Sequence, residues 1–132
     1  MAFPVPHRDE YSETAGFLIS GPLRKVLFIP DIDKWEKWES DILQWARKVD
    51  LLLIDGTFYS EDELPGRDMS EIPHPFIVET MMKFSDMPPE IRKKISFIHL
   101  NHSNPANRPG AERDAIERAG FQVAIQGTRI EI

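Results

Sequence analysis

Apolar positions in this chain come as short blocks punctuated by proline, glycine and charge, and several blocks end on an aspartate or a histidine. Thr14–Ser20 (TAGFLIS) and residues 24–29 (RKVLFI) are rich in β-branched and aromatic side chains and flank Gly21-Pro22, which predicts two strands joined as a hairpin. Residues 51–54 (LLLI) form a continuous apolar run of the kind found in a strand buried on both faces. Residues 94–105 (KISFIHLNHSNP) predict a further strand through Ile95, Phe97 and Ile98, opening into a polar loop with His99, Asn101, His102, Ser103 and Asn104.

Between the second and third blocks the period changes. Trp35, Trp38, Ile42 and Trp45 recur at helical spacing, with Leu43, Ala46 and Val49 widening the stripe, so one amphipathic helix is predicted over 32–49, capped by Asp31 or Asp33. A helix between two apolar strands implies a parallel β-α-β unit. Residues 59–75 are acidic, proline-containing and without period, which predicts a long irregular loop of the functional kind. Residues 76–84 read as a helix, Pro88-Pro89 starts a short one through Lys94, and a last helix has Pro109 in its first turn, Gly120 just beyond its end, and Ala111, Ala115 and Ala119 on one face. Residues 1–10 read as an extended lead-in carrying His7, and residues 121–125 and 128–132 as two closing strands.

A chain of 132 residues is expected to be a single domain, 1–132. Its formal net charge of −6 opposes unaided contact with a phosphate backbone, so nucleic acid is not an expected partner. No apolar run has the length of a membrane span, no basic-then-apolar leader opens the chain, and there are no cysteines; these features predict a cytoplasmic protein that does not enter the membrane.

Three predicted strands thus end in groups that bind metals or move protons: Asp31 with Asp33, Asp55, and His99 with His102. The carboxyl ends of parallel strands share one edge of a sheet, so these groups can converge. Zinc and similar divalent cations take neutral imidazole nitrogens and carboxylate oxygens, and a carboxylate can bridge two ions, a role that suits Asp31. His7 offers a further nitrogen from a stretch stiffened by Pro4 and Pro6. Each group also has a purely structural use: Asp31 or Asp33 as a helix cap, Asp55-Gly56 as a turn, His99 as a hydrogen-bonded core residue, His102 and His7 as surface residues.

The segments PVPHRDEYSETAGFLI, VLFIPDIDKW, LLLIDGTFYSEDEL, IPHPF and FIHLNHSNP, taken in order, resemble the C-terminal half of metallo-β-lactamase-fold hydrolases. Within that superfamily the DGTF and H-x-N-x-x-NP segments are most similar to the pyrroloquinoline-quinone biosynthesis protein B group. The resemblance implies an α/β fold corresponding to the C-terminal half of an αββα sandwich. It also implies His7, Asp31 and His99 as metal ligands, Asp55 as a carboxylate supporting the site from behind, and His74 and His102 on substrate-side loops. The implied cofactor is a divalent metal, zinc first and iron or manganese as alternatives, and the implied substrate is a small molecule in a metal-dependent hydrolysis.

The superfamily's main metal motif, H-x-H-x-D-H, is absent from these 132 residues, which hold only four histidines. The expectation is therefore a partial site, completed by a missing half or a partner chain. The alternative is a non-catalytic interaction module that covers its open sheet face by homo-oligomerisation or by pairing with another chain.

Overall fold

The computed structural model describes residues 1–8 and 11–132; Asp9 and Glu10, within the expected lead-in, lie outside the described residues. One six-stranded sheet has its strands in chain order, β1 (Ala2–Val5), β2 (Thr14–Ser20), β3 (Lys25–Ile29), β4 (Leu51–Asp55), β5 (Ile95–Ile98) and β6 (Gln122–Val123). The first two pairings are antiparallel and the remaining three parallel. The β2–β3 hairpin and the parallel β3–β4 unit match the expectation from the sequence. So does the α/β class, with helices α1 (Ile42–Lys48), α2 (Ile77–Lys83), α3 (Pro89–Arg92) and α4 (Ala111–Arg118).

Strand register sorts the side chains onto two faces. Leu18, Leu27, Leu52 and Ile95 are in register on one face, as are Ile29, Ile54 and Phe97, and from β3 to β5 these residues have no exposed surface at all. They form the core with Ile42, Ala46, Ile77, Phe84 and Ile116 from the helices. Burying a side chain of this size stabilises the fold by about 1.5–3 kcal/mol. The opposite face carries Phe17 and Ile19, which are 40% and 41% exposed, and the half-buried Phe28, Leu51, Leu53 and Ile98. No helix among the described residues covers it to the same degree, and a groove of about 940 Å³ runs along it over Leu51, Leu53 and Ile98.

Four expectations need correction. The lead-in is partly a strand: residues 2–5 pair with β2 at the sheet edge, where Pro4 is tolerated because an edge position can do without its N–H. The single helix over 32–49 is broken. A 3₁₀ turn spans Trp35–Lys37, Trp38 is extended, and α1 begins only at Ile42. Asp41 supplies the restart by accepting from the Leu43 amide at 2.9 Å, so Ser40-Asp41 is a second helix-start signal inside the apolar stripe, and neither Asp31 nor Asp33 caps α1. Pro109 lies outside α4, which starts after Gly110 and buries Ile116, with Ala119 packed against the same core. Residues 128–132 form no strand; the tail turns at Gln126-Gly127 and ends against the β2–β3 hairpin. A Cβ on Gly21 would lie 2.3 Å from the Ile132 carbonyl carbon, so only glycine admits the tail there.

Candidate metal centre

Two antiparallel steps restore direction, so β1 runs the same way as β3, β4 and β5, and all four strands end at one edge of the sheet. His7 follows β1, Pro30-Asp31 follows β3, Asp55 is the last residue of β4 and His99 follows β5. The segments after β1 and β3 are tied together by the Asp33 amide, which donates to the Pro6 carbonyl at 2.7 Å.

His74 arrives from the 59–75 loop. Pro73 and Pro75 restrict the backbone on either side of it. Phe58, Met69, Ile72 and Phe76 form a small core of their own beneath the loop, and the Phe58 ring meets the His74 ring edge-on at 5.9 Å. The first two amides of α2, at Ile77 and Val78, donate to the carbonyls of Phe58 and Tyr59, so loop and helix are fastened together just beyond the histidine.

At the edge, His7 Nε2 lies 3.0 Å and His74 Nδ1 3.4 Å from the same Asp31 oxygen, Oδ1. One donor atom from each of His7, Asp31 and His74 lies within 4.8 Å of the others, and the same holds for Asp31, Asp55 and His99. Asp31 belongs to both groups. The rings of His7 and His74 are 5.3 Å apart and those of His74 and His99 6.4 Å. His7 Nε2 and Asp31 Oδ1 are both shielded from solvent and neither makes a hydrogen bond. An unpaired buried polar atom costs about 1–3 kcal/mol, so two of them face to face in a His/Asp donor set fit a divalent cation.

Asp55 is fully buried and every lone-pair direction is used. Oδ1 accepts from the Thr57 amide at 2.8 Å and the Thr57 hydroxyl at 2.7 Å; Oδ2 accepts from the Ile32 amide at 3.1 Å and lies 2.8 Å from His74 Nδ1, which carries the hydrogen because an ionised carboxylate can only accept. Thr57 Oγ1 in turn lies 3.0 Å from His99 Nδ1. His99 has φ of 61°, and it is the one positive-φ residue other than glycine among those described. Such a conformation is uncommon for a residue with a side chain, and it persists only where surrounding contacts hold it.

Those contacts are identifiable. The Gly56 amide donates to the Ile98 carbonyl and the Asn101 amide to the Thr57 carbonyl, one pairing on each side of His99. Buried Asn104 donates from Nδ2 to the carbonyls of Gly56 and Thr57 and accepts from the Ala106 amide, clamping the two loops. A Cβ on Gly56 would sit 2.8 Å from Phe97 Cβ, which explains the glycine of the DGTF segment. On the outer side, Glu63 accepts from the Tyr59 amide and the Ser103 hydroxyl.

The structure therefore brings His7, Asp31, Asp55, His74 and His99 together. His102 is exposed on the loop after β5 and belongs to neither donor group. Asp33 faces away, with Oδ2 2.8 Å from Lys37 Nζ and Oδ1 accepting from the Lys34 amide. Burial raises its carboxyl, but the Lys37 hydrogen bond, the Lys34 amide and the nearby positive charge outweigh it and hold the group below the ordinary carboxylate range. Thr57 and Asn104 lie inside the DGTF and H-x-N-x-x-NP segments, and their roles are not legible there because the contacts to His99 and Gly56 cross 42 and 48 residues of chain.

Residues 1–100 match the family described as "Beta-lactamase superfamily domain". The chain belongs to the β-lactamase superfamily. Among curated superfamily relatives, coenzyme PQQ synthesis protein B of Rhizobium meliloti is 26% identical over 131 residues, covering 93% of this chain and 41% of the relative. The protein of the same name from Gluconacetobacter diazotrophicus is 30% identical over 132 residues, covering 92% and 40%. The crystal structure of Zn(2+)-bound PqqB from Methylobacterium extorquens superposes with a TM-score of 0.73 at 22% identity, covering 99% of this chain and 49% of that one. It establishes the shared fold. The chain spans about two fifths of the length of these curated relatives and half of the solved structure. No helix among the described residues is long and apolar enough to cross a membrane.

Proposed function

We propose that this chain contributes part of a divalent-metal site to a hydrolase-type reaction on a small molecule, in a process linked to pyrroloquinoline-quinone biosynthesis. The observation that carries the reading is the pair of buried atoms without hydrogen bonds, His7 Nε2 and Asp31 Oδ1, set among further imidazoles. The names of the relatives support the biosynthetic link, and the Zn(2+)-bound state of the similar PqqB structure supports zinc as the first metal to try.

His7, Asp31 and His99 hold the ion in this reading, with His74 as a further donor. Asp55 has no lone pair left for a metal, so it orients imidazoles, a task that typically affects metal affinity by about 10–100-fold. When bound, a divalent ion supplies a Lewis acid that polarises a substrate oxygen and lowers the pKa of water. His102, exposed on the loop after β5, is in this reading the residue that contacts substrate or exchanges a proton. The H-x-H-x-D-H donors are not in these 132 residues, so the chain reaches full activity only together with a segment or partner that supplies them.

Metal analysis after dialysis against zinc, manganese or ferrous iron tests the first part. About one ion per chain, lost in Asp31→Asn, supports the reading; no metal above the level of a His7→Ala/Asp31→Asn double variant rejects it. Ester, lactone and phosphodiester assays test the second part. Turnover at ordinary enzyme rates by the chain alone, abolished by chelation, would show that the described cluster suffices without further donors.

A second reading is favoured by a separate observation, the half-open sheet face with Phe17 and Ile19. In it the chain is a docking module whose apolar face pairs with a second copy or another chain, and the metal cluster is structural.

A further inference from the structure

Thr57 has a single hydroxyl hydrogen and two close polar neighbours. Asp55 Oδ1, at 2.7 Å, belongs to a buried carboxylate that already takes hydrogens from the Thr57 and Ile32 amides and from His74 Nδ1; it can only accept. The Thr57 hydrogen is therefore spent on Asp55. What the hydroxyl oxygen offers His99 Nδ1, at 3.0 Å, is a lone pair.

We propose that Thr57 is a positioning residue that sets the tautomer of His99: accepting from Nδ1–H, it leaves Nε2 of the neutral ring as the nitrogen with a free lone pair. A metal ligand needs that lone pair. Free neutral imidazole side chains favour the opposite arrangement, with the hydrogen on Nε2, so the site works against an intrinsic preference. Asp55 does the same for His74 directly, through Oδ2 and Nδ1. One buried carboxylate thus orients two imidazoles, one at first hand and one through a hydroxyl. The positive φ of His99 fits this account, because the backbone is held in an unfavoured conformation while the ring stays against Thr57.

This inference rests on the reading of the cluster as a metal site for its purpose, but not for its test. Two-bond proton–nitrogen correlation spectra of metal-free, ¹⁵N-histidine-labelled protein, above the pH at which its histidines are neutral, report which nitrogen carries the hydrogen. His99 is assigned by its loss in His99→Gln. In the wild type His99 is expected as the Nδ1–H tautomer; in Thr57→Val it shifts towards Nε2–H, and Thr57→Ser, which keeps the hydroxyl, restores it. Zinc affinity is expected to fall about tenfold or more in Thr57→Val and to stay within about threefold of wild type in Thr57→Ser. A wild-type His99 in the Nε2–H form overturns the proposal, even if Thr57→Val fails to fold. So does a folded Thr57→Val with the wild-type tautomer, since a purely packing role for Thr57 would change stability and leave the ring's hydrogen in place. An Nδ1–H tautomer in a protein that retains no metal sinks the metal reading and leaves the tautomer assignment standing.

Discussion

His7 Nε2 and Asp31 Oδ1 lie 3.0 Å apart, buried, and without a hydrogen bond between them or to any other described group. A protonated His7 would compensate the carboxylate as an ion pair, and a cation would do so through both atoms. The two cases separate by mutation.

Asp31→Asn keeps the shape of the side chain and removes the negative charge that a divalent ion needs. Metal retention is expected to fall by at least about 100-fold while stability changes by less than about 1 kcal/mol. Asp33→Asn, aimed at Lys37 and the Lys34 amide, is expected to leave retention unchanged. Equilibrium dialysis with metal quantification is the check, and retention lost in Asp33→Asn alone would reverse the assignment.

Asp55→Ala leaves the Ile32 and Thr57 amides, the Thr57 hydroxyl and His74 Nδ1 without their fully buried acceptor. A loss of about 3–5 kcal/mol is expected in urea unfolding, the range for stripping a partner from a buried network. A cost under about 1 kcal/mol would mean that the network is far looser than its distances suggest.

Asn104→Ala removes both donors to the Gly56 and Thr57 carbonyls and the acceptor of the Ala106 amide. It is expected to destabilise by about 1–3 kcal/mol and to raise hydrogen exchange in residues 99–107 more than in β4, because the clamp joins the loops beyond the strands. Uniform acceleration across the sheet would contradict this local role.

Asp33 makes stability depend on pH. Its folded carboxyl lies below the ordinary range, so the unfolded chain binds the proton more readily; the stabilisation is present at neutral pH and is lost as pH falls through the lowered value. Asp33→Asn should therefore unfold at lower urea than wild type at about pH 7, with the gap narrowing steadily below about pH 4. A gap that widens in acid would have the wrong sign.

The half-open sheet face predicts self-association at micromolar concentration. Phe17→Lys with Ile19→Lys, on one face of β2, should shift sedimentation towards monomer without loss of the folded spectrum. A monomeric wild type would show that the tail lining the groove already covers the face well enough.

Local sequence determined the elements and the positions of most of the chemistry. Period and punctuation are short-range properties, so β2, β3, β4, β5 and α2 could be read from a few residues each, and the rule that parallel strands end together placed Asp31, Asp55 and His99 at one edge. The break after Trp35–Lys37 was also written locally, in Ser40-Asp41, but an apolar stripe at helical spacing masked it. Tertiary structure alone decided which donors meet. His74 reaches Asp31 because a small core around Phe58 folds the 59–75 loop over the sheet edge, and Asp55 faces inward with four donors because the DGTF turn is pinned to the β5 loop by Asn104. Those contacts join residues far apart in the chain at hydrogen-bond distance. Pattern in a sequence carries direction and period, whereas the 3.0 Å contact between Thr57 and His99, 42 residues apart, depends on how distant loops pack.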